Sequence, residues 1–205
     1  MNNRVVIRSL VLPEGYIAAM DDGLISWRPN VGTRRNIRLE FPTSTLLAVG
    51  GPDGKCDSVW CGDTRGNITQ LSLPMLDILN KFCLNSSSIR ALCAVNPSSD
   101  KILVGTSDGE IWTLGKDVPG GKILLFSINN VITSMRCNSD SITIQSGWSR
   151  FTFDWTGVQL EHHDHERIFA SKETKRKNRR SRLLKFQLEN GNLPESVMLD
   201  LPVIA

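Results

Sequence analysis

A short turn recurs along this chain at a nearly constant interval. Three copies share an aspartate, a glycine and an isoleucine two positions after the glycine: Asp22-Gly23-Leu24-Ile25, Asp63-Thr64-Arg65-Gly66-Asn67-Ile68 and Asp108-Gly109-Glu110-Ile111. Both intervals between the glycines are 43 residues. A weaker fourth copy at Gly147 to Phe151 follows 41 residues further on, with Arg150 in the place of the glycine. Such a period predicts an array of small supersecondary units that pack against their neighbours.

Each period divides into four short strand-like runs. In the third period the runs are Ser88–Val95, Lys101–Ser107, Glu110–Gly115 and Lys122–Ile128. They are rich in β-branched and aromatic residues and are bounded by Gly, Pro, Asn and Asp, which is typical of strands. The last run of the second period, around Ile78, also permits a turn of helix. Four antiparallel strands in about 40 residues match the size of a β-propeller blade.

The repeated turn has a structural explanation. A glycine between the second and third strands supplies a positive φ, and the aspartate before it accepts hydrogen bonds from nearby backbone groups. Carboxylates that recur once per blade lie too far apart to form a catalytic pair. We therefore predict structural roles for six turn residues: Asp22, Gly23, Asp63, Gly66, Asp108 and Gly109.

These features resemble the WD-repeat β-propeller family over about residues 3–160. The resemblance is carried by the aspartate-glycine turns, by the isoleucines after them, by the first strands "IRAL" and "VITSM", and by Trp155, five residues after the fourth glycine place. In the second and third copies leucine occupies that tryptophan place, and Trp27 comes one position early. The stretches "CGDTRGNI" and "KILVGTSDGEI" are also similar to propellers of the echinoderm microtubule-associated protein-like family.

One family feature is missing from the sequence. No Gly-His dipeptide opens a blade, because the only histidines are His162, His163 and His165. The hydrogen bonds that the family forms between that histidine and the turn aspartate are therefore not expected here.

The predicted fold is all-β: a β-propeller of four WD-like four-stranded blades, in a half ring or a small ring, followed by a basic C-terminal segment. The blades are placed at about residues 3–42, 43–86, 87–129 and 130–160, and residues 161–205 form the basic segment and a C-terminal hairpin or tail. WD-repeat rings usually hold about seven blades, within the range of four to eight for propellers. The resemblance thus implies a homodimer or pairing with another propeller chain; tight four-bladed closure and completion by the C-terminal residues are the alternatives.

Charge is distributed unevenly along the chain. The net charge is +3, but the segment Lys172–Lys185 carries +7 and the remaining residues −4. Eight cations within 14 residues are candidates for binding nucleic acid or another polyanion, with steep salt dependence. The alternative is a solvated loop or helix face. The candidate residues are Lys172, Lys175, Arg176, Lys177, Arg179, Arg180, Arg182 and Lys185.

Nothing in the sequence assembles a catalytic site, a cofactor site or a metal site. All three histidines lie in "EHHDHE", Glu161 to Glu166, where a compact metal site needs a third ligand from elsewhere. A solvated polar strand end is the favoured interpretation. The five cysteines include no C-x-x-C pair, which favours reduced thiols, and Cys83 and Cys93 lie in apolar runs typical of small buried residues.

The favoured function is a non-catalytic scaffold for protein–protein interaction. A nucleic-acid-associated or ribonucleoprotein-associated factor that binds through the basic segment is the alternative. No apolar run approaches about 18 residues, and the N-terminus lacks the pattern of a secretion signal. We therefore expect a cytoplasmic protein without a membrane span, with the nucleus possible in a eukaryote.

Overall fold

The computed structural model describes residues 4–51, 54–84, 87–95 and 101–164. Within these residues the regular structure is β, apart from a single 3-10 turn at Pro119–Gly121. Sixteen strands form four separate four-stranded antiparallel sheets, and each sheet follows the order of the chain. No helix among the described residues is long and apolar enough to cross a membrane. The prediction of an all-β fold with four four-stranded blades is confirmed.

The first two blades contain eight strands. Blade 1 consists of β1 Val6–Leu12, β2 Gly15–Met20, β3 Leu24–Pro29 and β4 Arg35–Arg38. Blade 2 consists of β5 Thr43–Gly50, β6 Cys56–Asp63, β7 Asn67–Ser72 and β8 Ile78–Cys83. The run around Ile78, for which a helical turn is the alternative, is therefore a strand.

The second pair of blades repeats this arrangement. Blade 3 consists of β9 Ile89–Ala94, β10 Ile102–Thr106, β11 Glu110–Leu114 and β12 Lys122–Ser127. Blade 4 consists of β13 Ser134–Cys137, β14 Ile142–Ser146, β15 Ser149–Phe153 and β16 Gln159–Asp164.

The core lies between the blades. Three apolar clusters fill the three boundaries, one between each blade and the next. Strands of the inner blades contribute to two boundaries at once: in β10, Ile102 and Val104 face blade 2 while Leu103 faces blade 4, and all three are fully buried. Apolar residues at consecutive positions are expected where both faces of a sheet are covered.

The first strands of the four blades are neighbours in sequence order. β5 lies beside β1, β9 beside β5 and β13 beside β9. In the part of the chain that the structure describes, β13 does not pack along β1 in this way. The four blades therefore form an arc with two ends, and each end presents one sheet face that no further described blade covers.

Two details differ from the sequence interpretation. In blade 4 the turn glycine is Gly147, with a φ of 54°, and Arg150 lies inside β15 opposite Gln145. Ser146 pairs directly with Ser149, so this hairpin has a two-residue loop, shorter than the loops of the other blades. The Cys83 side chain is exposed rather than buried, because it lies on the outermost strand of its blade.

Candidate interaction surface

The turn aspartates are held by different donors in each blade. Asp22 accepts a hydrogen bond from the Leu24 amide and forms 2.9 Å ion pairs with Arg4 and Arg38. Partial desolvation opposes ionisation, but the Leu24 amide and the two guanidinium groups hold the pKa of Asp22 below its usual value. Its carboxylate joins the segment just before β1, the turn and β4.

The other two aspartates show how the chain replaces the missing histidine. Asp63 accepts hydrogen bonds from the Arg65 amide at 2.7 Å and from the amide and side chain of Asn67 at 2.9 and 2.8 Å. Asp108 accepts from the Ser87 hydroxyl, which lies just before β9. Hydrogen bonds to the turn aspartates are therefore present with donors other than histidine, although no Gly-His dipeptide opens a blade.

The turn glycines make a close contact that the sequence did not reveal. Gly23, Gly66 and Gly109 have φ values of 80°, 83° and 84°. Each glycine carbonyl accepts a hydrogen bond, at 2.8–2.9 Å, from the residue that follows the blade's fourth strand; these residues are Leu39, Leu84 and Ile128. All three pack into the clusters between blades. The turn glycines thus contact the chain where it leaves one blade for the next, and the structural role of the six turn residues stays a prediction.

The outer face of blade 4 is polar. Met135, Ile144 and Phe151 lie in register and face blade 3, so the residues that alternate with them point away from it. These residues are Ser134, Arg136, Thr143, Gln145, Arg150 and Thr152. Five of them line a concavity of about 380 Å³ on this face. Both arginines are exposed, and neither forms an ion pair with another described residue.

The outer face of blade 1 has a polar centre as well. Ser9, Ala18, Ser26 and Asn36 form a row across the four strands, on the side that faces away from blade 2. Arg34 covers this row, with its Nε 2.8 Å from the Ser26 hydroxyl and 3.2 Å from the Asn36 side-chain oxygen.

The next row of the same face is partly apolar. It joins Val11, Tyr16 and Arg28, of which Val11 is 84% exposed and Tyr16 37%. Arginine thus lies beside small polar groups on both outer faces: near the serines of blade 1, and near the serine and threonines of blade 4. We refer to the outer faces of blades 1 and 4 together as the end faces.

A sequence signal for the end face of blade 4 was available. The segments "SMRC", "ITIQS" and "SRFTF" alternate between polar and apolar residues, whereas "KILVG" in blade 3 is apolar at consecutive positions. Strict alternation is typical of a sheet that is covered on one face only. A terminal repeat with a polar outer face is also what keeps stacked repeat arrays soluble.

The histidine-rich stretch lies at the end of β16. His162 stacks on Phe151 with the ring centres 4.5 Å apart, and the His163 Nε2 lies 3.4 Å from a Glu161 oxygen. His165 lies outside the described residues. Among the described residues, no group of three or more His, Cys, Asp or Glu side chains is placed to hold a metal ion.

The eight candidate polyanion-binding residues, from Lys172 to Lys185, lie outside the described residues, as does the predicted C-terminal hairpin. Their role stays a prediction.

Comparison with solved structures identifies the fold. The chain is similar to Saccharomyces cerevisiae Sqt1 (TM-score 0.64, 15% identity, covering 77% of this chain and 48% of that one). It is similar to U3-55K (0.64, 13%, 78% and 52%) and to a chain of the mitotic checkpoint complex (0.66, 13%, 81% and 55%). The chain thus spans about half the length of the structures it matches. No protein-family model and no curated protein matches the sequence.

These neighbours are WD-type propeller proteins. The arc of four blades therefore has the WD-type β-propeller fold, and at these identities the likeness shows the fold alone.

Proposed function

We propose that this protein is a non-catalytic scaffold for protein–protein interaction and a divergent member of the WD-repeat family. The observation that carries the proposal is a WD-type blade array with two end faces that no further described blade covers, and with no assembled catalytic cluster among the described residues. The mitotic checkpoint complex, one of the matched structures, is by its name a protein assembly. The similarity to echinoderm microtubule-associated protein-like propellers stays a prediction, as does the cytoplasmic location.

We place the main partner contact on the end faces. A partner there meets guanidinium groups that form no ion pair with another described residue, and burying such a group without a counter-charge is costly. The partner surface that fits is therefore one that carries carboxylates opposite Arg136 and Arg150 on blade 4 or Arg28 on blade 1.

The same charges bear on the two pairings that the sequence leaves open. If two copies of this chain stacked end face to end face, arginine would meet arginine, which repels. Pairing with a different chain, a further propeller included, avoids this repulsion. We therefore favour a different chain over a homodimer as the partner that covers the arc.

Affinity measurements on one partner test this proposal. The full chain is used to isolate the protein that copurifies with it from its own cells, and binding of the purified partner is then titrated calorimetrically. The double variant R136E/R150E should weaken binding by at least tenfold. Arg90→Glu, at an exposed arginine on β9 away from both end faces, should leave the affinity unchanged.

Two outcomes would count against the proposal. Equal affinities for the wild type and R136E/R150E would remove the end face of blade 4 from the contact. A chain that retains no protein, while light scattering shows it monomeric and circular dichroism shows it folded, would contradict the scaffold function itself.

Binding of a polyanion through residues 172–185 is the second candidate function. Its support is the sequence alone, namely the +7 charge of that segment. The ratio of absorbance at the nucleic-acid and protein maxima of the purified chain shows whether nucleic acid is carried along.

A further inference from the structure

Two half-buried thiols meet at the boundary between blades 3 and 4. Cys93 lies on β9 and Cys137 on β13, the first strands of the two blades, and their Sγ atoms are 3.1 Å apart. The Ala94 carbonyl oxygen lies 3.1 Å from the Cys137 Sγ and 3.5 Å from the Cys93 Sγ. Both sulfur atoms therefore lie beside the same carbonyl oxygen.

The two sulfur atoms are close enough for a bond to need only a short approach. A disulfide has an S–S distance of about 2.05 Å, so the sulfur atoms need to approach by only about 1 Å. Both residues already pack into the cluster between blades 3 and 4, together with Val95 and Trp155. Each thiol keeps partial solvent exposure, which gives a small oxidant access to the sulfur.

The two thiols are also chemically unequal. The hydrogen bond from the Cys137 thiol lowers the pKa of Cys93 to about 7, although partial burial opposes this effect. The same hydrogen bond raises the pKa of Cys137. Cys93 is thus the sulfur that carries the negative charge near neutral pH, and the thiolate is the nucleophilic form of cysteine. The other thiols differ: burial strongly raises the pKa of Cys61, and Cys56 and Cys83 have no sulfur partner among the described residues.

We propose that Cys93 and Cys137 form a reversible disulfide that joins blades 3 and 4 when the protein meets a peroxide. In the first step the Cys93 thiolate attacks one peroxide oxygen, the O–O bond breaks, and water leaves after protonation, giving a sulfenic acid at Cys93. In the second step Cys137, deprotonated, attacks that sulfur; the S–S bond forms, the S–O bond breaks and a second water leaves. The two sulfur atoms lose two electrons in total and the peroxide gains two, and a dithiol reductant reverses the change.

This bond would constrain the end of the arc. It would close a chain loop that runs from the first strand of blade 3 to the first strand of blade 4, across the boundary that an apolar cluster fills. A crosslink that closes a loop of this kind stabilises chiefly by restricting the unfolded chain. The expected effect of oxidation is a rise in Tm of about 5–15 °C, independent of the function proposed above.

Thiol counting on the full chain tests the proposal. The protein is reduced, freed of reductant, treated with hydrogen peroxide and alkylated after denaturation, and its mass is measured. We expect the alkylated cysteines to fall from five to three, with a peptide map that links Cys93 to Cys137 and a return to five after treatment with dithiothreitol. Cys93→Ser and Cys137→Ser should each abolish the link and the rise in Tm. Cys56→Ser, the matched control, should retain both.

Several results would overturn the inference. Alkylation of Cys93 and Cys137 that is as complete after peroxide as before it would do so, and so would over-oxidation of Cys93 without a link to Cys137. A disulfide between other cysteines, such as a Cys83–Cys83 link between chains, would equally contradict it. If a serine variant fails to fold, the peptide map of the wild type alone decides.

Discussion

The turn glycine of blade 3 offers the sharpest test of how the array is built. Gly109 has a φ of 84°, a conformation that costs a residue with a side chain about 1–2 kcal/mol. A Cβ at this position would also overlap the Ile128 carbonyl oxygen and lie 2.8 Å from the Asn130 carbonyl oxygen. Both atoms belong to the backbone that leads into blade 4, so they cannot move aside as a flexible side chain would.

Gly109→Ala should therefore cost more than its φ alone predicts. Displacing a packed backbone segment adds about 1–3 kcal/mol, which brings the expected loss to about 2–5 kcal/mol. Gly147 in blade 4 is the matched control, because it also has a positive φ and lies in the equivalent hairpin, but a Cβ there meets no atom within 4 Å. Gly147→Ala should cost only about 1–2 kcal/mol.

Urea unfolding of both variants, followed by tryptophan fluorescence, measures these costs. The free energies come from the midpoints, provided that the m values equal that of the wild type. If Gly109→Ala and Gly147→Ala lose the same stability, the close approach of the outgoing chain to the turn does not contribute, and the stabilising role predicted for this contact is wrong.

Two further predictions rest on the structure and a third on the sequence. Gly105→Ala should lower the free energy of unfolding by about 1–3 kcal/mol, because the new Cβ lies 2.8 Å from the Ile132 Cγ2. In urea unfolding, the double variant with Ile132→Ala should lose less free energy than the sum of the two single losses. The Thr156 hydroxyl and the Val158 amide lower the pKa of Asp154, so the contribution of this carboxylate to stability is fully present above the unfolded pKa of 3.8 and is lost as the pH falls through the lower folded pKa. In acid unfolding, Asp154→Asn should therefore lose less stability below pH 3.8 than the wild type does. Equal profiles would exclude this role. Retention of the wild type on heparin should fall steeply as the salt concentration rises. Replacing four cations of the basic segment by serine should abolish retention and leave the circular dichroism spectrum unchanged; these are Arg176, Lys177, Arg179 and Arg180. Unchanged retention would exclude the segment as the binding element.

Sequence periodicity alone was enough to predict the blades. The spacing of Gly23, Gly66 and Gly109 and the division of each period into four runs are local properties, because strand and turn preferences depend on residues near one another in the chain. This is why the number of blades and their four-stranded form could be read directly. The same locality explains the error at Arg150: a shorter hairpin loop in blade 4 shifts the alignment, and the turn falls on Gly147 instead.

Contacts between distant residues were decided only by the tertiary structure. Three such contacts join segments about 20 to 45 residues apart. Ser87 donates to Asp108, Ile128 leaves no room for a Cβ on Gly109, and Cys93 pairs with Cys137. No residue preference encodes such a meeting. The first two contacts depend on how the strands of blade 3 come together, and the third depends on how blade 4 stacks on blade 3. The end face of blade 4 was predictable in part. Alternation in the sequence indicates that the strands of blade 4 are covered on one side, because strictly alternating strands are typical of such sheets. Only the stacking of the blades shows that the other side lies at the end of the described array.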